Sequence, residues 1–125
     1  MSTKLERISQ VAVNVRNTER AAAFYRDTLG LKHLFDAPPK MAFFDCGGVR
    51  IMLTAPEGGE YDHRSSILYF AVADIGAAHD ELQAKGVKFR TAPHRVAVMG
   101  THELWLAFFE DTEGNVMALS GEKRA

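Results

Sequence analysis

The chain has 125 residues, 46% of them hydrophobic and 25% charged, with 15 basic and 16 acidic side chains and a net charge of −1. A chain of this length buries roughly two-thirds of its unfolded surface, so one domain needs neither disulfide nor metal to fold. The balanced charge, without a Lys/Arg cluster, argues against a nucleic-acid surface. No apolar run approaches the roughly 20 residues of a membrane span, so no membrane partner is expected.

Residues 1–6 are polar and are expected to fray. MSTKLERISQ lacks the apolar core of a signal peptide, so none is expected. The single cysteine, Cys46, cannot pair within the chain. It points to a reducing compartment, hence a cytoplasmic protein, and reads as a small buried hydrophobe rather than a reactive thiol.

In chain order, residues 8–15 alternate as a half-buried strand, with Val11, Val13 and Val15 against Gln10, Ala12 and Asn14. Asn17 or Thr18 can cap a helix that Ala21, Ala22, Phe24, Tyr25 and Leu29 give an apolar stripe and Gly30 stops. Strands follow at about 32–35, 41–46 and 49–54, with turns at Ala37–Lys40 and Gly47-Gly48. Residues 55–65, APEGGEYDHRS, read as a linker, with His63 solvated in it. The order then repeats: a strand at 66–72, an Asp74-capped helix ended by Gly86, and a strand at 87–91. A long loop is expected at 92–102, strands at 103–110 and 116–120, and a short solvated tail GEKRA. His33 and His79 read as surface or helix-edge residues.

The two halves match. At an offset of 57, Val15 pairs with Val72 and Asn17 with Asp74; Gly30 and Gly86 are 56 apart, implying one deletion. At an offset of 66, Asp45 pairs with Asp111, Gly48 with Gly114, Ile51 with Met117 and Leu53 with Leu119. Each half therefore reads as strand–helix–strand–strand–strand, and neither buries both sheet faces alone.

These motifs, FYRDTLGL, DCGGVRIML and FFEDTEGNVMAL, resemble the vicinal oxygen chelate superfamily of glyoxalase I, bleomycin-resistance proteins and extradiol dioxygenases. Thr112 stands where that family usually has a proline in its D-P-x-G-N/Y pattern. The resemblance covers nearly the whole chain. It implies an α+β fold in which two βαβββ repeats, about 7–54 and 66–120, form one partly open mixed β-barrel around a central cleft. It also implies a homodimer.

Strand alternation separates a helix-covered face from an open one. The expected covered face is Val11, Val13, Val15; Val49, Ile51, Leu53; Leu68, Phe70, Val72; Leu104, Leu106, Phe108; and Met117, Leu119. The open face then carries Gln10, Ala12, Asn14; Arg50, Met52, Thr54; Ile67, Tyr69, Ala71; Glu103, Trp105, Ala107, Phe109; and Val116, Ala118. That mixture of polar, aromatic and small residues suits a ligand pocket. Met52, Ile67, Trp105 and Phe109 filling a second core would read the same way.

The resemblance places metal ligands at Gln10, Met52, Ile67 and Ala118, which the repeat pairs as Gln10 with Ile67 and Met52 with Ala118. One amide and three groups unable to hold a hard divalent ion stand there. No metal or other cofactor is therefore expected, which puts metal-dependent isomerase and dioxygenase activity in doubt. The expected function is a metal-independent binder of a small molecule. Gln10, Asn14 and Arg50 would orient polar groups, and Met52, Ile67, Tyr69, Trp105, Phe109 and Ala118 would line the site. Arg50 suits an anionic or carbonyl-bearing ligand. The alternative is a glyoxalase-like or dioxygenase-like enzyme in which His94 or His102 acts as general base beside Glu103, or in which these residues form a relocated metal site. The bland reading of His94 and His102 is loop histidines bonded to backbone.

Overall fold

The computed structural model describes residues 3–125, so residues 1 and 2 of the polar start lie outside the described residues. The chain divides into two compact units between Ser65 and Ser66.

The first unit runs β1 (Gln10–Asn14), α1 (Thr18–Ala23), β2 (Lys32–Ala37), β3 (Met41–Cys46) and β4 (Val49–Thr54). Its sheet has the order β1-β4-β3-β2, with β1 parallel to β4 and the other pairs antiparallel. A parallel neighbour requires a crossover, which α1 and the β2–β3 hairpin provide. Asn17 caps α1, its side-chain oxygen accepting from Arg20 N at 3.0 Å. The helix then loosens into a π-helical turn, Phe24–Thr28, closed by Leu29 N donating to Phe24 O at 2.9 Å. From cap to stop is thirteen residues here, Asn17 to Gly30, but twelve in the second unit, Asp74 to Gly86. The wider turn absorbs the extra residue that the 57-to-56 change of offset announces. Val13, Ala21, Tyr25, Phe44, Ile51 and Leu53 are all at most 2% exposed and form the core under this helix. Each large apolar side chain buried here contributes about 1.5–3 kcal/mol.

Residues 55–65 belong to this unit because β1 holds them. Asn14 Nδ2 donates to Tyr61 O at 2.8 Å and His63 O at 2.7 Å, and Asn14 N donates to Ser65 Oγ at 2.8 Å. The expected linker is thus a strap tied back to the first strand.

The second unit runs β5 (Leu68–Ala71), α2 (Ile75–Ala84), β6 (Lys88–Phe89), β7 (His94–Met99), β8 (His102–Glu110) and β9 (Val116–Arg124). Its sheet has the order β5-β9-β8-β6, with β7 also on β8. The cap of α2 is Asp74, accepting from Ala77 N at 3.0 Å. At the β8–β9 turn, Asp111 is buried and its Oδ1 accepts from Glu113 N at 2.8 Å and Asn115 N at 2.9 Å. Its Oδ2 accepts from Asn115 Nδ2 at 2.9 Å, so the carboxylate organises the turn.

Three expectations change here. The supposed loop 92–102 contains strand β7, paired in register from His94↔Leu106 to Met99↔His102. It pairs only with β8, and its Val96, Val98 and Met99, all more than 40% exposed, mark it as an edge strand. The supposed tail is the end of β9, since Gly121–Arg124 pair with Trp105–His102. The faces of β8 are also exchanged. Ala107 pairs with Leu119 and Phe109 with Met117, and Gly121 on that face meets Ile75 of α2. Ala107 and Phe109 are therefore under the helix, both 0% exposed. Leu104, Leu106 and Phe108, expected there, are on the other face.

Candidate functional site

The open face of the first sheet is built by pairing register. Gln10↔Arg50 and Ala12↔Met52 join β1 to β4, and Arg50↔Asp45 and Met52↔Phe43 join β4 to β3. Phe43↔Phe35 and Asp45↔Lys32 continue the face onto β2. Charged groups (Arg50, Asp45, Lys32) gather at one end, and Met52, Phe43 and Phe35 lie beyond them.

Arg50 is an exposed cation of this face, as is Lys32. Its Nε donates to Gln10 Oε1 at 3.1 Å, which fixes the guanidinium across the two strands. Gln10 Nε2 then faces Met52 Sδ at 3.8 Å. No carboxylate among the described residues lies within ion-pair distance of Arg50, so its charge is not neutralised by a partner there. Phe35 and Phe43 stack with ring centroids 4.4 Å apart and planes 20° apart. Phe43 is buried, whereas Phe35 is 48% exposed and offers an aromatic surface.

The Phe35–Phe43 pair was missed by alternation alone. Counting back from the tight Gly47-Gly48 turn, where Cys46 faces Val49, finds Phe43 opposite Met52. Phe35 is hidden by the irregularity between His33 and Phe35 that shifts the β2 register. Asn14, expected to contact ligand, spends its amide on the strap instead.

In the second unit, Tyr69 pairs with Ala118, which pairs with Phe108. Tyr69 is 53% exposed and meets Phe108 edge-on at 6.1 Å. Ile67 is also exposed, and Ala118 is buried between its neighbours. Trp105 and Phe109, expected on this open face, are on the helix face. Phe109 is core, packed against Phe89 at 5.6 Å between ring centroids. Trp105 donates its indole N–H to Glu103 Oε1 at 3.1 Å and carries Lys123 Nζ 4.0 Å from its ring centroid.

His94, His102 and Glu103 do not come together. His94 sits opposite Leu106 and donates through Nδ1 to Ala92 O at 2.9 Å. His102 is four residues further along β8, on the order of 13 Å away, with Nδ1 3.1 Å from Thr101 Oγ1. Glu103 points to the opposite face, ion-paired to Arg95 Nη1 at 3.1 Å. The Trp105 N–H first, then Arg95, holds the Glu103 carboxyl below the usual carboxylate range.

The four positions at which the resemblance implies metal ligands do not fit a divalent ion. Their one hard oxygen, Gln10 Oε1, is taken by the Arg50 guanidinium, itself a cation. Met52 supplies a soft thioether, and Ile67 and Ala118 supply no donor. Among the described residues no cluster of three or more His, Cys, Asp or Glu is arranged to hold a metal ion.

Two further features stand apart from this face. A concavity of about 860 Å³ lies between the start of α1 and the β2–β3 turn, reaching Arg26, His33, Asp36 and Lys40. Two of its polar side chains are already engaged, Arg26 by Asp27 at 2.8 Å and His33 by Asp36 at 2.7 Å. Cys46 is half-buried, and burial followed by the neighbouring Asp45 pushes its thiol up, away from thiolate reactivity.

The fold and the repeat define a class, and comparison with known proteins names it. Residues 7–119 match the model of the Glyoxalase/Bleomycin resistance protein/Dioxygenase superfamily, and the chain belongs to that superfamily. It is 26% identical to the uncharacterized protein YraH of Bacillus subtilis (strain 168) over 90% of this chain and 96% of that one. A superfamily member from Sphaerobacter thermophilus DSM 20745 superposes with a TM-score of 0.77 at 22% identity, covering 94% of this chain and 98% of the other. Lactoylglutathione lyase from Agrobacterium tumefaciens superposes at 0.74 and 21% identity, covering 94% and 95%. Likeness at these identities concerns the fold. No helix among the described residues is long and apolar enough to cross a membrane.

Proposed function

We propose that this chain is a metal-independent small-molecule binding protein whose first open face recognises an anionic or oxygen-rich ligand through Arg50. One observation carries the reading. Where the superfamily resemblance puts a metal ligand, Gln10 instead orients a guanidinium at 3.1 Å. A fixed guanidinium supplies positive charge and a two-pronged set of donors to ligand oxygens, part of what a bound cation would do. It also repels a divalent ion from the same place.

The enzyme alternative receives less support, because His94 of β7 and His102 of β8 are on one face of the paired strands and Glu103 is on the other. Assembly as a homodimer belongs to the same proposal. It is supported by the edge strand β7 with its exposed Val96, Val98 and Met99. Sedimentation at micromolar concentration tests it, and a monomer there counts against it. A cytoplasmic location is proposed on the lone Cys46.

The functional test is an NMR screen of chelator-treated protein against small anions, neutral compounds and cations, with Arg50→Met in parallel. Anions should shift Arg50 and Gln10 side-chain resonances, and Arg50→Met should remove those shifts. Binding that appears only after a divalent ion is added would sink the reading.

A further inference from the structure

We infer that the Arg50 face takes a straight-chain aliphatic carboxylate whose length is limited by the strap 55–65, tied across the end of β1. The inference rests on the functional reading above and sharpens it.

Three rows of the sheet carry it. The head row is Gln10 and Arg50. Gln10 takes the Arg50 Nε–H at 3.1 Å, which leaves the paired Nη groups as a fork for the two oxygens of a carboxylate. The middle row is Ala12 opposite Met52, on the same face. It adjoins the head row, since Gln10 Nε2 is 3.8 Å from Met52 Sδ. Ala12 is exposed and its side chain is short, so a shallow apolar line runs beside the Met52 thioether from Gln10 toward Asn14. A thin, flexible chain fits a line one residue wide, and the thioether adapts to it. The Phe35–Phe43 stack lies on β2 and β3, away from β1, and takes no part.

The end row is Asn14 opposite Thr54. The Asn14 side chain is on the open face, and its Nδ2 donates to Tyr61 O at 2.8 Å and His63 O at 2.7 Å. Those carbonyls therefore stand over the face at Asn14. Ser65 Oγ, accepting from Asn14 N at 2.8 Å, also holds the strap along the outer edge of β1. The strap is itself braced, Gly58 N donating to Asp62 Oδ2 at 2.9 Å and Asp62 N to Gly59 O at 3.1 Å. Polar carbonyls thus close an apolar line, and a methyl terminus that reaches them gains no further burial. Strand geometry sets Gln10 and Asn14 on the order of 13 Å apart. Allowing for the side chains of both rows, a chain of about six to eight carbons fills that span.

Calorimetry on the full chain with butyrate, hexanoate, octanoate and dodecanoate tests this, with 1-hexanol as the uncharged control. From butyrate to octanoate, affinity should rise about fourfold for each added pair of methylenes, half the free energy of full burial. Dodecanoate should gain nothing over octanoate. Arg50→Met should bring hexanoate down to the level of hexanol. Asn14→Ala releases the strap and should restore the gain from octanoate to dodecanoate. Ala12→Phe fills the line from an exposed position and should flatten the series, which keeps the test decisive if Asn14→Ala does not fold. A wild-type series that is flat but depends on Arg50 makes the chain inference wrong and leaves the functional reading standing. A wild-type series that climbs to dodecanoate, a cut-off that Asn14→Ala leaves in place, or a rise that Ala12→Phe leaves intact also overturns it. Silence from every probe, together with an anion screen silent at Arg50, overturns both.

Discussion

The two repeats keep the same core, helix caps and helix stops, and diverge at most positions of their open faces. Under the first helix lie Ala42, Phe44, Ile51 and Leu53; under the second lie Ala107, Phe109, Met117 and Leu119, paired in the same register. All eight are at most 3% exposed. On the open faces the matched positions diverge: Gln10 against Ile67, Arg50 against Val116, Met52 against Ala118. Close packing under a helix tolerates little change in volume, whereas a face that meets solvent or ligand carries no such restriction. The polar half of that divergence is what the proposed binding chemistry of the first unit rests on.

The sharpest break of this comparison is at the paired phenylalanines. Phe109→Ala should cost about 3–5 kcal/mol in denaturant unfolding, because it empties a core site. Phe108→Ala, one residue away on the open face, should cost much less. Equal effects would return Phe109 to the ligand face. Gly121→Ala comes next. A Cβ there would stand 2.9 Å from Ile75 Cβ, so α2 must move off β9 at a cost of about 1–3 kcal/mol. The first unit has no counterpart, since β4 ends at Thr54.

Asp111→Ala should cost about 1–3 kcal/mol by leaving turn N–H groups without their acceptor. Asp111→Asn, keeping one acceptor oxygen, should recover part of that. Arg50→Met should leave stability within about 0.5 kcal/mol while removing anion binding, as befits an exposed residue with a functional role. A large loss of stability would make Arg50 structural.

The smallest effect is in pH. Glu103 is held below the usual carboxylate range by the Trp105 N–H and Arg95. Its contribution to folding is therefore complete above the ordinary glutamate range and is lost as pH falls through the depressed folded value. Trp105, the single tryptophan, should report that titration as a fluorescence change at acid pH. Arg95→Met should move the midpoint upward. A midpoint that ignores Arg95 would mean the ion pair does not form in solution.

Much of the fold was legible along the chain. Caps at Asn17 and Asp74, stops at Gly30 and Gly86, and the 57-residue offset are local signals, and each is where expected. The β8 faces were misjudged because Leu104 to Phe109 is apolar at every position, so alternation has no polar residue to read. The matching triplets Ala42-Phe43-Phe44 and Ala107-Phe108-Phe109 held the answer: Phe44 is core, so Phe109 is too. Strand β7 was invisible for a different reason. An edge strand needs little hydrophobic pattern, because its partner supplies the backbone bonds.

What the sequence by itself determined was the repeated unit, its helix boundaries, and the absence of a hard donor at three of the four positions that the resemblance links to metal. These depend on residue identity and on neighbours within one turn or one hairpin. What only the tertiary structure decided was which side chains meet. Gln10 and Arg50 are 40 residues apart and bonded because β1 lies parallel to β4, a pairing that a crossover makes and no local pattern announces. The same register places Phe43 beside Met52 and turns Trp105 away, since a shift of one residue moves every side chain to the other face.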